Sequence, residues 1–247
     1  MKIARTALFA AALLLLPTLS AADMPKIVEK AIAHHGGETF AASRVTLDLC
    51  SRSGCTDLTV ETRGGLFDHQ AEGEARDQQR RVRVTNQSVE AWIDGEAVEL
   101  TAETELSYFR WVTAKVYFAF LPLRLADPNV FFEDQGMERW GERELQRVKV
   151  SFAEDSSPNA NDQYLYWFDP ESGRLEQFAY SFSGGLRFRP AFNYRRVGGL
   201  LFFDQKNLGI NAPDLDIDMI DPEFVDSRME QVSTVTLEDI AVEAIDR

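Results

Sequence analysis

Hydrophobic and polar positions alternate with a period of two along most of this chain, a pattern typical of β-strands. In residues 147–152, for example, apolar side chains occupy every second position and Arg, Lys or Ser the others. Short turns such as Asp94-Gly95 join neighbouring runs, so we expect an antiparallel sheet. The pattern predicts about ten or eleven strands, over residues 44–49, 56–63, 80–86, 88–93, 96–100, 147–152, 163–169, 178–182, 186–194, 200–203 and 229–241.

Two segments depart from this alternation and are predicted to be helical. The first, residues 25–34, begins at Pro25 and is followed by Gly36-Gly37, residues that suit the two ends of a helix. The second, residues 101–121, begins at Thr101, which can cap a helix. We expect Asp127-Pro128 to end the segment that follows, because a residue before proline avoids the helical conformation.

The second predicted helix is apolar around nearly its whole circumference, whereas a surface helix normally has one apolar stripe. Phe109, Val116 and Phe120 can pack on the sheet. Tyr108, Trp111 and Phe118 fall roughly opposite and also need cover. A strand over residues 163–169 likewise carries large apolar side chains on both faces, so it too is expected to be covered on both sides.

Composition narrows the class of protein. The chain has 247 residues, of which 45% are hydrophobic and 27% charged, which excludes a disordered protein. Its 40 acidic and 26 basic residues give a net charge of −14. This balance argues against nucleic-acid binding and against electrostatic docking on anionic lipid.

Residues 1–22 have the pattern of a secretory signal peptide, and residues 23–247 are expected to form a single domain. Lys2 and Arg5 precede an apolar run over residues 7–16, and small residues follow near Ala22. The run is too short to span a bilayer, and no later stretch is long enough, so we expect no stable membrane insertion. The expected location is the periplasm. Cys50 and Cys55 flank a turn between two strands, and the oxidising compartment predicts a disulfide between them.

Several short motifs resemble one protein family. In chain order they are HGG at 35–37, FLPLRLADP at 120–128, VKVSF at 148–152, YLYWFDPESG at 164–173 and VGGL at 197–200. With this ordered set, the chain is similar to uncharacterised exported bacterial proteins of the LolA/LolB-like superfamily of periplasmic lipoprotein carriers, over roughly residues 26–240. The resemblance implies an α+β, mostly antiparallel fold. In it, a strongly curved sheet forms a half-open barrel, and helices cover a hydrophobic cavity on its concave side. It does not imply lipoprotein as the cargo.

Residues that could carry chemistry have simpler interpretations. His34, His35 and His69 lack the spacing of a zinc motif, and the helix-end residues His34 and His35 are expected to satisfy backbone carbonyl groups. The carboxylates at 214, 216 and 218 could bind Ca²⁺ but lack the glycine of an EF-hand loop, and we interpret them as a charged edge. We therefore expect no metal site, no cofactor and no catalytic residues. Two groups of arginines, at 81 and 83 and at 187, 189 and 195, form either a solvated outer face or a patch for an anionic head group. The solvated face is preferred.

The sequence thus predicts a non-catalytic periplasmic protein that holds a hydrophobic or amphiphilic ligand, such as a lipid or a lipoprotein acyl chain, between a curved sheet and a helix. The residues expected to line the cavity are Tyr108, Trp111, Phe118, Leu121, Tyr166, Phe168, Phe178 and Tyr180. The alternatives are a structural or interaction module of the envelope without a ligand, and, third, a hydrolase.

Overall fold

The computed structural model of the protein describes residues 24–63, 65–75, 77–127, 130–152 and 163–245. The predicted signal peptide, Pro128 and the polar stretch 153–162 lie outside the described residues. In the described part, one antiparallel sheet carries most of the chain and helices pack against it. The class is therefore α+β and mostly antiparallel β, as predicted.

Thirteen strands form this sheet in the described residues. They are β1 (Ser43–Ser51), β2 (Gly54–Arg63), β3 (Leu66–Ala75), β4 (Gln78–Thr85), β5 (Val89–Ile93), β6 (Glu96–Ala97), β7 (Val130–Trp140), β8 (Arg143–Phe152), β9 (Tyr164–Phe168), β10 (Leu175–Phe182), β11 (Gly185–Val197), β12 (Leu200–Ile210) and β13 (Glu230–Ala244). Their order across the sheet is β6-β5-β4-β3-β2-β1-β13-β12-β11-β10-β9-β8-β7. The last strand thus lies between β1 and β12, and it joins two runs of hairpin-connected strands.

The sequence pattern missed β3 and β7. β3 occupies an interior position in the sheet, but its buried residues include His69 and Ala71, which give little apolar alternation. β7 is an edge strand, and Met137 in it is 52% exposed. A strand with small, polar or exposed residues does not produce the period-two signal on which the count of ten or eleven rests.

Four α-helices are described: α1 (Lys26–His35), α2 (Gly37–Phe40), α3 (Ala102–Ala119) and α4 (Pro222–Arg228). α1 and α3 agree with the predicted helices to within two residues. Thr101 caps α3, because its hydroxyl accepts a hydrogen bond from the Thr104 amide at 3.3 Å. α4 and a 3₁₀ helix over Ile217–Met219 follow β12, in a stretch for which the sequence pattern predicted no helix.

After α3 the chain turns through Pro122 into a 3₁₀ helix over Leu123–Ala126. Asp127 follows in an extended conformation, with φ −65° and ψ 152°. The helical segment therefore ends before Asp127, as the following proline in the sequence predicts.

Buried side chains form three core clusters. In the first core cluster, Val112 and Val116 of α3 pack with residues of β1–β5, including Val60 and Val82. The second joins α1 to β8, β9 and β10, and Tyr117 and Phe118 of α3 pack against it. We call the side of the sheet that faces α3 the inner side. The third lies on the outer side, under α4.

β9 has neighbours on both of its faces. Tyr164, Tyr166 and Phe168 belong to the second core cluster, whereas Leu165 and Trp167 belong to the third. All five residues are buried. The expectation that this strand is covered on both sides is confirmed.

Cys50 and Cys55 occupy directly opposed positions in the β1–β2 hairpin and form a disulfide. Their Cα atoms are 3.9 Å apart. The hairpin spacing predicted this bond.

Candidate functional site

The residues expected to line a cavity fall into two groups in the structure. Tyr108 and Trp111 lie at the margin of the first core cluster and are only partly buried. The other six all belong to the second core cluster or pack against it: Phe118, Leu121, Tyr166, Phe168, Phe178 and Tyr180. The structure therefore brings most of the predicted set together on the inner side of the sheet, at the C-terminal end of α3.

Aromatic rings form a continuous layer in this second group. The ring centroid of Phe118 lies 5.9 Å from that of Phe178 and 5.1 Å from that of Tyr180. Phe178 is in turn 6.0 Å from Tyr166, which is 6.2 Å from Phe168. These separations are those of favourable aromatic pairs.

Tyr117 also belongs to this layer, although the helical period places it on the other face of the helix. Its hydroxyl lies 2.6 Å from that of Tyr166, and its ring is 5.6 Å from that of Tyr164. Burial raises the pKa of the Tyr117 hydroxyl above its usual range. The helical period alone could not reveal this contact, because α3 meets neighbours on more than one side.

Tyr108, Trp111 and Phe118 form an aromatic face on α3, and a cation lies over each of the three rings. The guanidinium of Arg80 is 5.3 Å from the ring centroid of Tyr108, and the ammonium of Lys115 is 5.3 Å from that of Trp111. The guanidinium of Arg189 is 4.5 Å from the ring centroid of Phe118. We call Arg80, Lys115 and Arg189 the cationic stripe. No ion pair within the described residues includes any of the three.

Arg189 is the most buried member of the stripe, with 9% of its surface exposed. Its Nη2 donates to the hydroxyl of Tyr180 at 2.8 Å, and its Nη1 donates to Oε1 of Gln205 at 3.0 Å. Gln205 donates in turn to the backbone oxygen of Phe118 at 2.8 Å. This network joins β10, β11 and β12 to the last turns of α3.

The remaining predicted arginines mostly follow the solvated interpretation. Arg83 is exposed and pairs with Asp68 at 2.5 Å, and Arg195 pairs with Asp204 at 3.0 Å. Arg187 donates to Oδ1 of Asn211 at 3.2 Å. For Arg189 the solvated interpretation is wrong, because β11 turns it toward the aromatic layer of the inner side.

The histidines serve the structure. The Leu175 amide donates to Nε2 of buried His35 at 3.2 Å, and Nδ1 of the same ring lies 3.3 Å from the carbonyl oxygen of Leu201. His69 is buried in the sheet beside Thr62. Burial lowers the pKa of both imidazoles to about 3.

The carboxylates at 214–218 do not lie along a strand. Asp216 caps the 3₁₀ helix over Ile217–Met219, and Asp218 pairs with Arg147 at 3.1 Å and with Lys149. They therefore form no charged strand edge; the turn is tied to β8. Across the described residues, no group of three or more His, Cys, Asp or Glu side chains could hold a metal ion.

An open polar depression of about 500 Å³ lies beside the disulfide hairpin. Asp57, Glu74 and Asp77 contribute to its wall. The residues that line it are not those of the aromatic layer, and no sequence pattern predicted it. In the part of the chain that the structure describes, no helix has the length and apolar character needed to cross a bilayer.

Residues 75–237 match the family described as "Family of unknown function (DUF6503)". The chain belongs to this family. In the DUF6503 chain, the matched range contains α3, the cationic stripe and the aromatic layer, and it excludes α1 and the disulfide hairpin. No curated protein matches the sequence.

Two solved structures resemble the DUF6503 chain over nearly its whole length. A LolA superfamily protein from Nitrosomonas europaea has 10% sequence identity and a TM-score of 0.51, with 89% of this chain and 93% of that chain covered. A DUF1329 family protein from Desulfovibrio piger has 7% identity and a TM-score of 0.52, with 88% and 92% covered. At these identities the likeness concerns the fold: the protein has a LolA-like fold, as the sequence motifs indicated.

Proposed function

We propose that the protein binds an apolar or amphiphilic molecule, such as a lipid or an acyl chain, between α3 and the inner side of the sheet. The observation that carries this proposal is the aromatic face of α3. Tyr108, Trp111 and Phe118 are only partly buried, although Val112 and Val116 on the adjoining face are fully buried. Covering an exposed aromatic surface with an apolar chain is favourable by about 25 cal/mol per Å². A ligand that lies along α3 would gain this energy.

The contacts of α3 support a strongly curved, half-open sheet around this ligand. Tyr108 lies beside Arg80 of β4, whereas Tyr117 contacts Tyr166 of β9. β4 and β9 are eight steps apart in the sheet order, about 38 Å across a flat sheet. The two tyrosines are separated by only about 14 Å along the helix axis. One helix can contact both strands over this short distance if the sheet curves around α3.

We further propose that this is a non-catalytic carrier in the periplasm, which residues 1–22 would direct to that compartment. The Cys50–Cys55 disulfide supports an oxidising location. The LolA-like fold supports the carrier interpretation only as an architecture, because one fold can serve several functions.

A second candidate is an envelope module without a ligand, and the cationic stripe favours it. Arg80, Lys115 and Arg189 cover part of the three aromatic rings that a ligand would otherwise contact. If the chain's own side chains complete this cover, the core is closed and no ligand is needed.

Native mass spectrometry separates the two candidates. The full chain, exported by its own N-terminal segment, would be purified from the periplasm without detergent. We expect a fraction of the protein to carry a bound species of lipid mass, which organic extraction removes. Bare polypeptide throughout, with no uptake of added phospholipid or fatty acid, would contradict the binding function and favour the closed module.

A further inference from the structure

Arg189 carries a charge that no described carboxylate neutralises. The chain has 40 acidic residues against 26 basic ones, so partners are abundant. Arg143, Arg147, Arg174 and Arg195 all have acidic partners. Arg189 is more than nine-tenths buried and has none. Buried charges in proteins are normally paired, because removing an ion from water is unfavourable.

The hydrogen bonds of Arg189 leave part of its guanidinium unused. An arginine has five N–H donors, and two of these go to Tyr180 and Gln205. Nε is buried and has no hydrogen-bond partner. Nε–H together with an Nη hydrogen forms one edge of the guanidinium fork, which matches the two oxygens of a carboxylate or phosphate.

The surroundings of Arg189 fix its position without neutralising it. Its guanidinium lies over the rings of Phe118, Tyr180 and Phe178, at 4.5, 5.2 and 5.9 Å from their centroids. Cation–π contacts stabilise a cation but add no negative charge. Tyr180 and Gln205 are neutral acceptors that orient the group. The site is thus preorganised for an anion supplied from outside the chain.

We infer that Arg189 binds the anionic head group of the ligand, a carboxylate or a phosphate monoester, so that the protein selects anionic amphiphiles over neutral ones. This inference rests on the proposed function. The acyl chain would follow the aromatic face of α3 from Phe118 past Trp111 to Tyr108, a length of about 15 Å. Lys115 and Arg80 lie along the same face and add positive potential. A neutral head group would leave the charge of buried Arg189 without a counter-charge, so it would bind more weakly.

The test compares ligands that differ only in the head group. Binding of oleate, oleyl phosphate and oleyl alcohol to the full chain would be measured by isothermal titration, with sodium acetate and inorganic phosphate as anions without a chain. We expect the two anionic amphiphiles to bind at least tenfold more tightly than the alcohol, and the chainless anions not to compete. In Arg189→Gln, the preference should vanish while the affinity for the alcohol is retained.

Arg187→Gln is the matched control. Arg187 lies two residues before Arg189 on β11, stacks over Phe182 at 4.5 Å and already donates to Asn211. The substitution removes the same charge from the same strand, and the tenfold preference should persist. Arg189→Lys keeps the positive charge but lacks the guanidinium fork, so it should bind the anions with intermediate affinity. If circular dichroism shows that Arg189→Gln is unfolded, Arg189→Lys is used in its place.

The outcomes distinguish a failure of the proposed function from a failure of the anion inference. If the parent protein binds none of the three oleyl compounds, the proposed function fails. If it binds all three equally, and substitution of Arg189 changes nothing, binding stands and the anion inference is overturned. If Arg187→Gln also loses the preference for anionic amphiphiles, that preference comes from the overall charge of the protein, and the assignment of the anion site to Arg189 is overturned. Competition by acetate or phosphate as strong as that by oleate would indicate a site for free anions instead.

Discussion

The hydroxyl groups of Tyr117 on α3 and Tyr166 on β9 lie 2.6 Å apart in a hydrogen bond. Tyr166 is fully buried, and aromatic rings surround the pair. The bond therefore fixes the C-terminal end of α3 on the inner side of the sheet, within the aromatic layer.

Tyr166→Phe should lower the free energy of unfolding by about 1–3 kcal/mol, because it leaves the Tyr117 hydroxyl without its partner in an apolar environment. The double variant Tyr117→Phe/Tyr166→Phe should lose less than the sum of the two single changes, since no unpaired hydroxyl remains. Urea unfolding of the four proteins measures the coupling. Strictly additive losses would show that the hydrogen bond does not contribute.

Two of the sequence motifs meet at Gly36 and Gly199. Gly36 ends α1 with φ +96°, and a Cβ atom there would lie 2.6 Å from the carbonyl oxygen of Gly199. Gly36→Ala should therefore destabilise the protein through both backbone strain and a steric clash.

Gly95→Ala is the control, since Gly95 has φ +86° but a Cβ atom there would meet no other atom within 4 Å. It should cost about 1–2 kcal/mol, the strain alone. Gly36→Ala should cost at least about 1 kcal/mol more, as measured by urea unfolding. Equal losses in the two variants would argue against the close contact of α1 with the β11–β12 turn.

Stability should fall in mild acid because of His35 and His69. Burial holds the pKa of each at about 3 in the folded protein, against 6.5 in the unfolded chain. Between these values the unfolded state binds more protons than the folded state. The contribution of each neutral histidine to the free energy of unfolding is therefore complete above pH 6.5 and is lost as the pH falls toward 3. Each histidine should contribute a slope of up to about 1.4 kcal/mol per pH unit.

The measurement is the free energy of unfolding in urea between pH 7 and pH 4. His69→Gln should flatten the slope in this range, whereas substitution of the more exposed His34 should flatten it less. A slope that is unchanged by His69→Gln would assign the acid sensitivity to other groups.

Sequence periodicity predicted the helices and strands better than it predicted which strands pair with each other. α1, α3 and the strand with two covered faces follow from local patterns of apolar residues. The pairing of β13 with β1 joins residues almost two hundred positions apart. No local pattern encodes that contact.

A bulge explains why the faces of β11 were predicted only in part. The alternation in the sequence predicts that Leu186, Phe188, Phe192 and Tyr194 share one face of this strand. Leu186 and Phe188 do lie in the third core cluster, but Tyr194 packs against the second. The register shifts between Phe192 and Arg195, with Asn193 at φ +51°. An inserted residue reverses the alternation beyond it. Alternation also does not say which face meets the helix, so the position of Arg189 needed the structure.

Binding of an apolar fluorescent probe, N-phenyl-1-naphthylamine, to the parent protein and to Trp111→Ala tests whether a ligand covers the aromatic face of α3. Trp92→Ala is the control. Trp92 is also partly buried, and its ring centroid lies 4.3 Å from the guanidinium of Arg81. It lies, however, on the face of β5 opposite to that of buried Ala91. If a ligand covers α3, the parent binds the probe, Trp111→Ala weakens binding at least tenfold with little loss of stability, and Trp92→Ala binds as the parent does. If the parent binds no probe and Trp111→Ala instead lowers the free energy of unfolding by about 3–5 kcal/mol, the core is closed and the binding function is wrong.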